Sequence, residues 1–250
     1  MISRNPKNSN MLSVRSCAPE PLVDRLELLQ LELTELTAER EDLHRLVNEF
    51  EIQYHQRLGQ HIGRILELRR NRAQKLAESH SEFESRYQET QKDYDFWHES
   101  SSHIKNKKLF SLTDEDLKVL KKTFRKAAGK CHPDVARGED KERSKEFFIS
   151  LRQAYERNDL EAVIDLAGQI ESEHILLHDA KKAERESLNK AIATLEQKII
   201  SLQSEIKKIT ESESYRVLSI YSDVTIYFEE TEKELLLQIT ELEQYVRMDS

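Results

Sequence analysis

From Leu22 the apolar residues recur in alternating steps of four and three: Leu22, Leu26, Leu29, Leu33, Leu36, Leu43, Val47, Phe50 and Tyr54, with Arg40 as the one polar member of the frame. That spacing keeps one stripe on one side of a helix and predicts a coiled-coil seam of about 35 residues, roughly 50 Å long. Arg40 reads as a side chain that snorkels out of the seam, with a register-setting role as the alternative. Gly59 and Gly63 fall where the frame breaks, which predicts a kink or a reversal there and a second helix from about Leu58 to Trp97. The theme returns later in the chain: Leu188, Ile192, Leu195, Ile199, Leu202, Ile206 and Ile209 hold the heptad spacing without interruption. The polar run Thr210 to Ser214 reads as the close of a hairpin, followed by a weaker stripe of Leu218, Tyr221, Phe228, Leu235, Ile239, Leu242 and Val246. Heptads specify a seam and not a partner, so the two arms could pair with each other or form a homodimer.

The pattern changes between the arms. Ser100 to Ser102, followed by Lys105, Lys107 and Lys108, reads as a linker, and Ser111-Leu112-Thr113-Asp114-Glu115-Asp116 reads as a helix start in which Thr113 caps with Asp116 three residues on. Leu117, Leu120, Phe124 and Ala127 or Ala128 form one apolar stripe, and the rest of that helix carries Lys118, Lys121, Lys122, Arg125, Lys126 and Lys130 with no acid between them. Pro133 must end the helix near His132, which places His132-Pro133-Asp134 on an exposed loop. A following helix presents Phe147 or Phe148, Leu151, Ala154 and Tyr155, so the pair predicts an antiparallel hairpin with the tripeptide at its tip. The expected fold class is all-α, divided into a disordered tail at 1–20, an N-terminal coiled-coil arm at 21–99, a central module at 100–168 and a C-terminal coiled-coil arm at 169–250.

Composition narrows the function classes. Five glycines and four prolines in 250 residues leave little material for turns, and a charged fraction of 34% fits helices with wide solvated faces. A net charge of −8 argues against nucleic acid as the partner. No stretch approaches the roughly 20 apolar residues that cross a bilayer, so no membrane role is expected. The two cysteines, Cys17 and Cys131, give neither a disulfide framework nor paired metal-ligand spacing, which fits a reducing cytoplasm. Residues 1–19 carry Arg4, Lys7 and Arg15 and no acid up to Pro19, a pattern that fits a disordered tail better than a transit peptide. His55, His61, His174 and His178 are scattered over helices; His174 and His178 stand at i, i+4 but lack the glutamate of a metalloprotease helix and read as a solvated face, and Tyr54 to Gly59 reads as a packed turn, with a partner site as the alternative. Cys131-His132 is half a metal site at most. No nucleophile and base constellation surrounds His132, so no catalytic residue, metal or cofactor is expected, and the chain does not read as an enzyme.

The stretch Phe124-Arg125-Lys126-Ala127-Ala128-Gly129-Lys130-Cys131-His132-Pro133-Asp134 resembles the second helix and loop of the J domain in DnaJ-family co-chaperones, and Phe148, Leu151, Ala154 and Tyr155 are similar to that family's third-helix pattern. The resemblance covers roughly residues 105–168. The chain departs from the family in three places: the short first helix is replaced by Leu109-Phe110 or by Tyr94, Phe96 and Trp97 upstream; Gly129 stands where a larger apolar residue is common; and Cys131 occupies the usual aromatic position. The Gly/Phe-rich and zinc-binding regions of full-length members are absent. The resemblance implies that His132, Pro133 and Asp134 dock on an ATP-bound DnaK-type chaperone, with Lys118, Lys121, Lys122, Arg125, Lys126 and Lys130 meeting an acidic surface. Asp134 would then face a partner arginine, and the chain would stimulate the partner's ATP hydrolysis while its arms bind a client. The alternative is a coiled-coil scaffold whose J-like hairpin is inactive, with a loop that merely caps the hairpin and lysines that form a solvated face.

Overall fold

The computed structural model describes residues 20–105, 109–134, 140–176 and 185–248. The tail, Cys17, Lys107, Lys108, Glu139 and His178 lie outside them. The fold is all-α, as the periodicity predicts. Its elements are α1 (Glu20–Ser79), a 3-10 turn (Ser81–Phe83), α2 (Glu84–Lys105), α3 (Asp114–Cys131), α4 (Asp140–Glu156), α5 (Leu160–Leu176), α6 (Arg185–Thr210), α7 (Glu213–Ile220) and α8 (Val224–Met248). Among the described residues no helix is long and apolar enough to cross a membrane.

The spine is α1, which at 60 residues extends roughly 90 Å at 1.5 Å per residue. It does not break at Gly59 and Gly63. A Cβ added to Gly63 would stand 3.5 Å from Nε1 of Trp97, and one on Gly59 would stand 3.8 Å from the same indole. The two glycines therefore mark a close approach rather than a turn: their missing side chains make room for Trp97, which stacks on His55 of α1 at 4.9 Å. The reversal comes about 20 residues later, where His80 adopts extended geometry ahead of Ser81–Phe83. From there α2 runs back along α1, with Tyr94 beneath the Arg70 guanidinium at 4.2 Å. The triple serine expected to form a linker lies inside α2, where Ser100 donates to the carbonyl of Phe96 at 2.6 Å and Ser101 is buried. Serine hydroxyls that bond back to the preceding turn are tolerated in helices.

The two heptad seams meet each other. Leu26, Leu29 and Leu33 of α1 share one core with Leu188, Leu195, Ile199 and Leu202 of α6, so the arms pair within the chain. The pairing is parallel: Arg25 bonds Glu196, Arg40 bonds Glu205, Ser214 bonds Glu51, His61 meets Glu232 and Arg64 bonds Glu243. Residue numbers rise together along both arms. The polar run at 210–214 does interrupt the helix, with Ser212 capping α7 through the amide of Tyr215 at 3.3 Å, but the chain continues in the same direction instead of closing a hairpin. The physical reason lies on α1, whose second half carries Phe50 and Leu58 to pack Phe228 of α8, an apolar surface that α6 is too short to cover. Arg40, expected to reach into solvent, is held by Glu41 on its own helix and by Glu205 across the seam.

The central module is a three-helix unit built on the middle of α1. Thr113 and Asp116 form the expected capping box at the start of α3. Helices α3 and α4 run antiparallel, with Phe124 stacked on Tyr155 at 4.1 Å near one end and His132 edge-on to Phe148 at 5.1 Å at the other. Neither candidate for the first-helix packing fills that role: Phe110 is exposed, Phe96 is 75% exposed, and Tyr94 and Trp97 are used on α1. Val163 and Ile170 of α5, with Ala38 of α1, complete the core instead. The helix α5 passes through residue 168, where the sequence suggests a boundary, and continues to Leu176. Asn158 makes the α4–α5 turn possible: it sits at φ 60°, a left-handed position that asparagine tolerates, and the amide of Asp159 returns to the carbonyl of Ala154 at 3.0 Å.

Candidate functional site

Pro133 ends α3 as expected, and His132 takes extended geometry at the C-cap. His132 is not exposed, however, and Pro133 and Asp134 are half-buried. His132 retains 6% of its accessible surface because the tip of the hairpin is pressed into the angle between α1 and α6. Its Nε2 lies 3.2 Å from the Thr37 hydroxyl of α1, and its Nδ1 accepts the amide of Asp134 at 3.2 Å. The Thr37 hydroxyl already donates to the carbonyl of Leu33 at 2.7 Å, so it can only accept from His132. These bonds fix one tautomer, with the proton on Nε2. Asp134 in turn accepts from the Lys198 ammonium of α6. The arms thus hold the tripeptide from both sides, through one hydrogen bond and one ion pair.

The basic face of α3 is also largely engaged. Arg125 bonds the Asp42 carboxylate at 3.1 Å and Lys121 approaches it at 4.0 Å. The same carboxylate accepts the Tyr155 hydroxyl. Lys126 lies 3.4 Å from Glu171 of α5, which Lys130 also meets; the hydrogen bond from Lys130 is the largest effect holding the Glu171 carboxyl below its ordinary range. Lys118 makes a solvated pair with Glu115 at 3.8 Å, and Lys122 is exposed. Of the expected site residues, His132, Asp134, Lys121, Arg125, Lys126 and Lys130 therefore converge on groups of this chain, Pro133 is half-buried between them, and Lys118 and Lys122 remain outward.

The closeness of α3 to α1 accounts for Gly129. A Cβ there would stand 3.2 Å from Cγ2 of Thr34, so a larger residue would push the two helices apart. Cys131, buried beside the loop, is no nucleophile: burial pushes its thiol up to about 12. Among the described residues no three His, Cys, Asp or Glu side chains gather as a metal site. Sequence reasoning missed Thr37, Asp42, Lys198, Glu171 and Asn158, whose side-chain oxygen accepts from Arg45 of α1 at 3.2 Å. The only available signal was an off-seam stripe on α1, Thr37, Ala38, Glu41, Asp42 and Arg45, at helical spacing.

Burial lowers the His132 pKa below 6.5, Asp134 of the loop raises it in part, and Lys198 of α6 and Arg40 of α1 lower it further. Protonation would also set an Nδ1 proton against the amide of Asp134. With its folded pKa depressed, His132 binds fewer protons in the docked state than in the unfolded chain, so its contribution is complete above pH 6.5 and is lost as pH falls from there toward the depressed value. Urea unfolding at pH 7.5 and pH 5.5 should show a larger acid loss for the wild type than for His132→Gln; equal losses would remove His132 from the linkage.

Comparison with protein-family models, with curated proteins and with solved structures finds no match to this chain.

Proposed function

We propose that this chain is a co-chaperone that recruits a DnaK-type ATPase through His132, Pro133 and Asp134 and the basic face of α3, and stimulates ATP hydrolysis by that partner without catalysis of its own. The observation that supports it is a His-Pro-Asp tripeptide at the tip of an antiparallel hairpin whose first helix carries six bases and whose two helices join through the Phe124–Tyr155 stack. Proline fixes the loop, the Asp134 carboxylate suits a partner guanidinium, and the lysines with Arg125 speed encounter with an acidic surface. The paired arms would then carry the client or the address, in the cytoplasm.

A second reading has its own support. His132 is buried and Asp134 is paired to Lys198, as they would be in a scaffold whose loop ties the module to the arms and meets no other protein. Single-turnover ATP hydrolysis by a DnaK-type chaperone, with this chain at saturating concentration, separates the two. Co-chaperone activity requires stimulation that returns to the unstimulated rate with His132→Gln; no stimulation by folded wild-type protein leaves the scaffold.

A further inference from the structure

We infer that α1 and α6 act as an intramolecular substitute for the partner chaperone, holding the His-Pro-Asp loop and the basic face of α3 in a closed state that must open before the partner can bind. The inference rests on the co-chaperone reading and adds regulation to the same site. Six of the groups assigned to the partner contact, His132, Asp134, Lys121, Arg125, Lys126 and Lys130, already have a complementary group in this chain, while Lys118 and Lys122 face outward. On the arms, Thr37 accepts from His132, Lys198 occupies Asp134 with a cation, and Asp42 meets Lys121 and Arg125; Glu171, which meets Lys126 and Lys130, lies on α5 and stays with the module. A partner of the same chemistry competes directly with them. Because the substitute is tethered, its effective concentration is that of an intramolecular ligand.

The interface is built to separate. The apolar core of the module lies within α3, α4 and α5, from Leu120 and Phe124 through Leu151 and Tyr155 to Val163 and Ile170, and Ala38 is the buried apolar residue that α1 adds to it. What joins the module to the arms is mostly polar: Thr37, Asp42, the Arg45–Asn158 bond and Lys198. Polar contacts exchange for water when they part, whereas apolar ones would have to be exposed. The module can therefore lift from α1 and keep its own core.

Two variants of the full chain open the closed state by different means. Lys198→Ala removes the cation from Asp134. Gly129→Leu leaves α3 a better helix former but drives a side chain toward Thr34. Carbethoxylation at pH 7.5, mapped by mass spectrometry, reads the loop, with the exposed His80 as internal reference. In the wild type His132 should react far more slowly than His80, and in both variants it should react about tenfold faster, the shift that about 1.4 kcal/mol of lost docking gives. The concentration for half-maximal stimulation of a DnaK-type chaperone should fall about tenfold with the maximum unchanged, since a closed state lowers apparent affinity by the open fraction. Wild-type His132 as reactive as His80, or variants that free His132 without lowering the half-maximal concentration, would overturn the inference. No stimulation at saturation by any variant, with His132 freed, would instead overturn the co-chaperone reading beneath it.

Discussion

Phe124→Ala should lower the stability of the α3–α5 module by about 3–5 kcal/mol, the usual cost of removing a buried phenylalanine. The ring is 1% exposed and sits where all the helices of the module converge, stacked on Tyr155 with centroids 4.1 Å apart. Aromatic pairing adds about 0.5–1.5 kcal/mol to the area that such a ring removes from water. Collapse cannot recover the loss easily. Among the ring's neighbours in the core, Ala127 and Ala128 are too short to reach in, and Tyr155 is fixed by its hydroxyl on Asp42. Tyr155→Phe makes the informative comparison, because it keeps the packing and deletes only the hydroxyl, whose bond to Asp42 is worth about 1.5–3 kcal/mol to a charged acceptor. Phe96→Ala is the control, since Phe96 is 75% exposed and surface changes stay within about 0.5 kcal/mol. Urea unfolding read by circular dichroism measures all three; a loss for Phe124→Ala no larger than that for Phe96→Ala would mean that the stack is not part of the core.

The difference between those residues shows what a sequence makes legible. Phe124, Leu151 and Tyr155 announce themselves by helical spacing, and the seams at Leu26 to Leu33 and Leu188 to Leu202 do so by the heptad. Direction is another matter. A heptad stripe reads the same against a parallel or an antiparallel partner, so the reversal inferred at 210–214 had no support in the pattern beyond polar residues, and the chain runs on. Gly59 and Gly63 look like breakers because glycine's cost in a helix is local, while its use here, space for Trp97, is set by a residue more than 30 positions away. The loop divides in the same way. His132-Pro133-Asp134 and the six bases are plain in the sequence. Their partners Thr37, Asp42 and Lys198 are polar residues on helices that offer dozens of others, and nothing local distinguishes a threonine that accepts from His132 from one that faces water. Polar docking surfaces leave a faint mark because hydrogen bonds depend on geometry that only the folded chain supplies.

Arg40 turns that lesson into a test, because sequence logic and structure predict opposite signs. Arg40 is the one polar member of an otherwise apolar ten-position seam, and heptad reasoning would replace it with leucine to gain stability. The structure requires the reverse. Glu41 is 1% exposed, and its Oε1 is bonded by Arg40 Nε at 3.0 Å and by a second guanidinium nitrogen. Arg152 stands farther off, at 3.8 Å from Oε2, and is shared with Glu156. Arg40→Leu therefore leaves a carboxylate in the interior without its main cation, and should cost about 3 kcal/mol, the low end for a broken buried pair because Arg40 itself keeps 17% of its side-chain surface. Glu205 loses its bond too, but at 47% exposure it is rehydrated. The decisive comparison is the double variant Arg40→Leu with Glu41→Leu, which removes both charges and should recover most of the loss, since apolar replacement of a whole buried pair is often neutral or better. A stabilising single substitution would mean that the seam obeys the heptad alone; recovery in the double variant would show that one interior carboxylate, and not the cross-arm bond to Glu205, makes an arginine necessary in the seam.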